Sequence, residues 1–237
     1  MDASAGRPAQ TKNVAKGQTK ALGAVILFGP PGAGKGTQAR NVVKRFSIPH
    51  IATGDMIRQQ IRAGSGLGKR VEATLAQGRL VDDDAVNRLV EARISRPDCR
   101  QGFLLDGFPR TTPQTKKLHE MLEQLGQAMV VIKIEIGYNE LAKRITGRRL
   151  CPNCGAIYNI HSSPPQVSDV CDICKSRLVV RPDDQADVLE ERLSGYERQT
   201  VPIFGAFRSN GQRIHEIDGT LPENEVARQI YRIIESA

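Results

Sequence analysis

The 237-residue chain is expected to fold as an α/β domain, a parallel sheet flanked by helices and interrupted by inserted segments. Three observations carry that expectation. Apolar runs of strand length alternate with stretches of helical period, the pattern of a parallel sheet covered on both faces. The first of these runs stops at a glycine-rich turn and leads at once into a helix. Between Arg148 and Arg181 both periods fail, and paired cysteines with Pro152, Gly155, Pro164 and Pro165 take their place, as in a small inserted unit.

Taken in order, residues 1–20 hold almost no large apolar side chain and are expected to form a disordered tail. Arg7, Lys12, Lys16 and Lys20 against Asp2 give this tail +3, so about +5 of the formal +8 belongs to the remainder. Ala21 to Phe28 reads as a strand and Lys35 to Phe46 as a helix. A short apolar patch follows at Ile48 to Ala52, then helical patterns at Asp55 to Arg62, Leu67 to Gln77 and Asp83 to Ile94. Asp82, Asp83 and Asp84 suit the start of the last of these, where carboxylates meet the positive end of the helix dipole. Gly102 to Asp106 reads as a buried strand, Thr112 to Leu125 as a helix and Met129 to Ile136 as a strand. Asn139 to Thr146 is helical, Asp184 to Arg208 mostly so, Arg213 to Ile217 is a strand and Pro222 to Ile234 a closing helix.

Apolar residues at 39% and charged residues at 25% describe a globular chain, and no apolar run approaches the roughly 18 residues of a membrane span. Residues 1–20 lack a secretory apolar core, so a cytoplasmic location is expected. A positive net charge suits nucleic acid or small phosphate-rich ligands equally.

Gly29 to Thr37 spells GPPGAGKGT, with Gly29, Gly34 and Lys35 completing G-x-x-x-x-G-K between a strand and a helix. Such glycines let backbone N–H groups of Gly32, Ala33, Gly34, Gly36 and Thr37 converge on phosphate oxygens, while Lys35 adds a charge near the β- and γ-phosphates. The general motif has a hydroxyl residue directly after the lysine. Gly36 intervenes here, which puts in doubt any role of Thr37 as a Mg²⁺ ligand.

Cys151, Cys154, Cys171 and Cys174 form C-x₂-C-x₁₆-C-x₂-C, within the spacing of a zinc ribbon. Four thiolates leave no open position for water, so the metal is expected to be structural, holding together a segment too poor in apolar residues to fold alone. Cys99 stands apart as a partly buried or incidental thiol.

GPPGAGKGT, TGDMIR at Thr53 to Arg58, LLDGFPRT at Leu104 to Thr111 and RPDDQ at Arg181 to Gln185, in that order, resemble the adenylate kinases over the whole chain after the tail. The resemblance implies the P-loop nucleoside monophosphate kinase fold, with 21–51, 82–143 and 183–237 as core, 52–81 as an AMP-binding domain and 144–182 as a zinc-binding lid. It implies a reaction between MgATP and AMP that gives two ADP, with Mg²⁺ carried by ATP and structural Zn²⁺ in the lid. It assigns Thr53, Arg58, Arg79, Leu80, Val81, Gly107, Phe108, Pro109, Arg110, Gln114, Arg181 and Arg192 to AMP, with Gln114 reading adenine. Arg144, Arg148, Ile157 and Tyr158 would face ATP with the phosphate loop. Leu221 stands where some family members have lysine, so any adenine contact there would be a backbone one. A monomer is expected.

Two anionic nucleotides must meet, so Lys35, Arg110, Arg148, Arg181 and Arg192 are the candidates for offsetting their repulsion and carrying transition-state charge. Asp106, at a strand's carboxyl end, could orient waters on Mg²⁺ or cap the next turn as a structural carboxylate. Asp183 and Asp184 could pair with lid arginines or cap the next helix. Other nucleoside monophosphates as acceptor, or GTP as donor, form a second hypothesis that Gln114 and the lid disfavour. A nucleic-acid-binding P-loop protein is the rival from another class. With four thiolates and zinc the lid keeps only about +1, and Tyr158 is its sole aromatic residue for base stacking, so no nucleic-acid partner is expected.

Overall fold

A computed structural model describes residues 21–237, and the expected tail at 1–20 lies outside the described residues. The chain opens with β1 (Ala24–Phe28), α1 (Lys35–Phe46) and β2 (His50–Ala52), then runs through α2 (Thr53–Arg62), α3 (Gly66–Ala76) and α4 (Asp83–Ile94). Next come β3 (Phe103–Asp106), α5 (Thr112–Gln124), β4 (Met129–Glu135) and α6 (Tyr138–Thr146). The hairpin of β5 (Arg148–Leu150) and β6 (Ile157–Asn159), within the expected lid, precedes α7 (Ala186–Gly195), α8 (Ile203–Ser209), β7 (Ile214–Asp218) and α9 (Glu223–Glu235).

Five strands form one parallel sheet in the order β2-β3-β1-β4-β7. From β1 the chain builds one side of the sheet with β2 and β3, then crosses to the other with β4 and β7. That reversal puts the loop after β1 at a switch point, where open α/β sheets bind ligands. Every residue of β1 is buried because helices cover both faces. Alternation along the strand sends Ile26 and Phe28 to one core with α4, α5 and α8, and Val25 and Leu27 to the other with α1, α6, α7 and α9. Phe28 meets Phe204 edge-on at 5.2 Å and so seats α8 under the sheet.

Helix starts follow local chemistry. Asp82 caps α4 by accepting from the Ala85 N–H at 3.0 Å, which uses one of the acidic triplet as expected. Thr111 caps α5, whose first turn also carries Pro113. The expected strand from Ala21 begins only at Ala24, since Gly23 takes a left-handed φ of 71° and lies too close to the Ala128 carbonyl for any side chain. The long helix expected over Asp184 to Arg208 is divided. A π-helical turn, Tyr196–Thr200, separates α7 from α8, with the Val201 N–H reaching back to the Tyr196 carbonyl at 2.9 Å. Pro202 follows, without an N–H to continue the ladder.

Candidate active site and metal centre

A cavity of about 530 Å³ opens at the carboxyl ends of β1 and β3. Its walls come from the loop after β1, residues 78–83 between α3 and α4, the loop after β3, and α7 with the π-helical turn. Gly34 holds the loop's last corner at a φ of 92°, directly before α1, and the first turn of α1 carries no acidic side chain to occupy its amide groups. Gly32, at φ 83°, leaves no room for a Cβ, which would stand 2.8 Å from Ile145 Cγ1. Lys35 Nζ donates to the carbonyls of Gly29 at 2.7 Å and Pro30 at 3.0 Å.

Burial, followed by the charges of Arg110, Arg192 and Arg148 against the opposing pull of Asp106, pushes the Lys35 ammonium down to about 8. The same crowding acts on its neighbours. Burial and then Arg192 lower Arg110, while burial and then Arg148 and Arg58 push Arg181 down to about 10. A set of cations that depress one another is stabilised by added negative charge, so the cavity is built for a polyanion.

Internal carboxylates hold several of these arginines. Asp184, with no exposed side-chain surface, accepts from Arg148 through both guanidinium Nε, at 2.6 Å, and Nη2. It also accepts from Arg192 Nη1 at 2.8 Å. Burial works against both charges of the first pair, yet the hydrogen bonds prevail, raising Arg148 and lowering Asp184. Arg58 spans from Asp55 at 2.7 Å to Asp183 at 3.9 Å, linking α2 to the lid's return. The Arg181 Nε is buried and has no hydrogen-bond partner among the described residues.

Arg110 is clamped at three points. Its N–H donates to Gln114 Oε1 at 2.8 Å, its Nε to the Gly107 carbonyl at 2.8 Å, and its carbonyl accepts from the Thr200 hydroxyl at 3.0 Å. Thr53 ties α2 to the same loop, donating to the Gly107 carbonyl at 2.8 Å. Asp106 ends β3 with Oδ2 3.5 Å from His50 Nε2, an ion-pair distance too long for a good hydrogen bond. Burial alone would raise this carboxyl; His50 and Lys35 prevail and lower it. Arg144 reaches from α6 to the Gly219 carbonyl at 3.0 Å, beside the phosphate loop.

In the lid, the Sγ atoms of Cys151, Cys154, Cys171 and Cys174 all lie within 4.8 Å of one another. The pairs Cys151–Cys174 and Cys154–Cys171 stand 3.3 and 3.5 Å apart. Tetrahedral zinc with Zn–S bonds near 2.3 Å requires sulfurs about 3.8 Å apart, so these donors fit it. Buried Cys151, Cys171 and Leu178 make up the lid's own small core, which is too few apolar groups without a metal.

Residues 27–212 match the family model described as adenylate kinase. The chain belongs to the adenylate kinase family. It is 46% identical over 211 residues to an adenylate kinase of Caldanaerobacter subterraneus subsp. tengcongensis, covering 89% of this chain and 95% of that one. It is 47% identical over 197 residues to an adenylate kinase of Moorella thermoacetica, with 83% and 90% covered. An adenylate kinase of Finegoldia magna is 44% identical over 207 residues, 87% and 96% covered. The chain is thus a nucleoside monophosphate kinase that transfers phosphoryl groups between ATP and AMP, as the motifs implied.

Lys35, Arg110 and Arg192 of this adenylate kinase line the cavity together with Arg79, Leu80, Val81, Gly107 and Pro109. Other expected site residues are engaged within the fold. Phe108 has no exposed surface and belongs to the core below the sheet. Gln114 is 2% exposed, and its amide is committed to the Arg110 N–H and, through Nε2, to Asp83 Oδ1 at 2.6 Å. In this arrangement its side chain braces the Arg110 backbone. The Tyr158 hydroxyl meets Cys171 Sγ at 3.5 Å and the Asp172 backbone nitrogen at 2.9 Å. Leu221 packs its side chain against the second core cluster. Cys99, expected to be partly buried, is 1% exposed beneath Arg93. Sequence reasoning passed over Thr200, Tyr196 and Asp83. Tyr196 and Thr200 lie on a π-helical turn without a periodic signature, and Asp83 was taken only for its helix-start charge.

Proposed function

We propose that transfer between MgATP and AMP takes place in line across this cavity, with Lys35, Arg110, Arg148, Arg181 and Arg192 bearing the charge that develops on the moving phosphoryl group. The observation that carries this reading is the convergence of Lys35, Arg110 and Arg192 on one cavity at the end of β1, where crowding lowers Lys35 and Arg110, beside a glycine loop and a helix N-terminus without a side-chain cap. No side chain there is required as a covalent carrier; positioning and electrostatics suffice. Gly32, Ala33, Gly34, Gly36 and Thr37 would offer backbone N–H groups to the donor phosphates. Arg144 would flank them, and Leu221 and Ile157 would border the adenine end through their backbones. Thr53, Arg58, Arg79, Leu80, Val81, Gly107, Pro109 and Arg110 would form the acceptor side.

Mg²⁺ arriving with ATP neutralises phosphate charge, and the depressed Asp106 carboxylate at the end of β3 fits a hard cation or its waters. Residues 52–81 would serve as the AMP-binding domain and 144–182 as the lid, with 21–51, 82–143 and 183–237 as core. Lid closure would exclude water and suppress ATP hydrolysis. The Cys151, Cys154, Cys171 and Cys174 site would brace that moving part with zinc. The reading extends to a cytoplasmic monomer acting on free nucleotides and not on nucleic acid, an extension that rests on the family likeness. Among the described residues no helix is long and apolar enough to cross a membrane.

Arg148→Ala tests the assignment. By comparison with arginine fingers, kcat is expected to fall by roughly 10³ to 10⁵, or about 4–7 kcal/mol of transition-state stabilisation. Near-normal kcat in a coupled ADP assay would remove Arg148 from the mechanism.

A further inference from the structure

One strand of the hairpin sends a side chain to a cysteine of the second pair. Tyr158, in the middle of β6, places its hydroxyl 3.5 Å from Cys171 Sγ and 2.9 Å from the backbone nitrogen of Asp172. An amide N–H can only donate, so the phenol oxygen is the acceptor in the second contact, and the phenol proton is left for the sulfur. The ring itself packs on the small core formed by Cys151, Cys171 and Leu178. β6 pairs with β5 and follows the first cysteine pair, whereas Cys171 and Asp172 open the second. The hydroxyl therefore helps to tie the two halves of the lid together at a ligand atom. By contrast, the Cys154 N–H contact to Cys151 Sγ at 3.5 Å and the Cys174–Ser176 contact at 3.4 Å each stay within one turn.

We propose that Tyr158 is a metal-retention residue, orienting Cys171 and donating to its thiolate when zinc is bound. Zinc with four thiolates carries two net negative charges, and a donor aimed at a buried sulfur spreads part of that charge. Cys171 is the most buried of the four, with no exposed surface, so its sulfur relies on protein donors for hydrogen bonds. The proposal rests on the reading of the four cysteines as a zinc site. It also accounts for why this tyrosine turns inward although it lies in the stretch expected to meet ATP.

The test uses the full chain, as wild type and as Tyr158→Phe, which keeps the ring and removes only the hydroxyl. Zinc affinity is measured by competition with a chromogenic chelator, and Tm is measured for the zinc-loaded and metal-stripped forms. Loss of an outer-shell partner is expected to weaken zinc binding by about tenfold or more. The stripped forms should melt together, and the thiolate-to-cobalt charge-transfer band of the Co²⁺-substituted variant should shift. A loss of zinc affinity below about threefold, or an equal loss of Tm in the stripped form, would place the hydroxyl in the fold and overturn the proposal. Wild type that binds no zinc would remove the metal site itself, and this inference with it.

Discussion

At the scale of single residues, the site is governed by charges that are only partly compensated. Asp184 is the negative centre of a partly buried group whose cations are Arg148 and Arg192. Asp184→Asn keeps the shape and removes the charge, leaving two guanidinium groups under-paired. Denaturant unfolding is expected to show a loss of about 3–5 kcal/mol at neutral pH. The native carboxyl lies below its ordinary value, so its contribution is present at neutral pH and lost on acidification. Lys35 differs in that its charged form is the one the fold disfavours. Its folded value of about 8 lies below the ordinary 10.5, so the charged form is penalised in the fold, and unfolding free energy rises as pH climbs between those values. A bound phosphate reverses that penalty, so once the free lysine is neutral Lys35 must take up a proton as the phosphate binds. Nucleotide affinity should therefore fall by up to about tenfold per pH unit above about 8, and calorimetric titration of Lys35→Arg should give a flatter profile.

At the scale of elements, the expected AMP-binding segment depends on how closely two helices approach. Gly68 in α3 lies against α2, where an added Cβ would stand 2.2 Å from the Gln60 carbonyl oxygen. A backbone acceptor cannot swing aside as a side chain can. Gly68→Ala should push α3 off α2, costing about 1–3 kcal/mol by thermal unfolding. The KM for AMP should rise more than kcat falls, since the lysine and lid arginines lie on other elements. A variant with unchanged KM would detach this helix pair from AMP binding. The π-helical turn has a comparable positioning role. It directs Thr200 at the Arg110 carbonyl, on a loop 90 residues earlier in the chain, and lets α8 restart at an angle set by Pro202.

For the whole molecule, stability is distributed unevenly. β1, β3 and β4 run between two apolar clusters with helices on both faces, whereas the lid keeps a three-residue core held by its cysteines. Native-state hydrogen exchange should find the slowest amides in β1 and β4. Amides of α3 and of the lid hairpin should exchange faster by on the order of 100-fold or more. Uniform protection across core and lid would contradict this division. Such looseness is expected of parts that must open to admit two nucleotides and close before transfer.

The sequence by itself determined whatever depends on residues close together in the chain. The strand, glycine loop and helix around Lys35, the helix starts at Asp82 and Thr111, and the C-x-x-C pairs were all legible, because sterics, capping and ligand spacing act over a few residues. Alternating apolar runs were enough to announce a parallel sheet. Only the tertiary structure decided which side chains meet across the fold. Gln114 turned to Asp83 and the Arg110 N–H, Tyr158 turned to Cys171, Phe108 sank into the core, and Asp184 gathered two arginines from separate elements. Rotamers are chosen by partners brought near by packing, and no local pattern records a partner that lies tens of residues away.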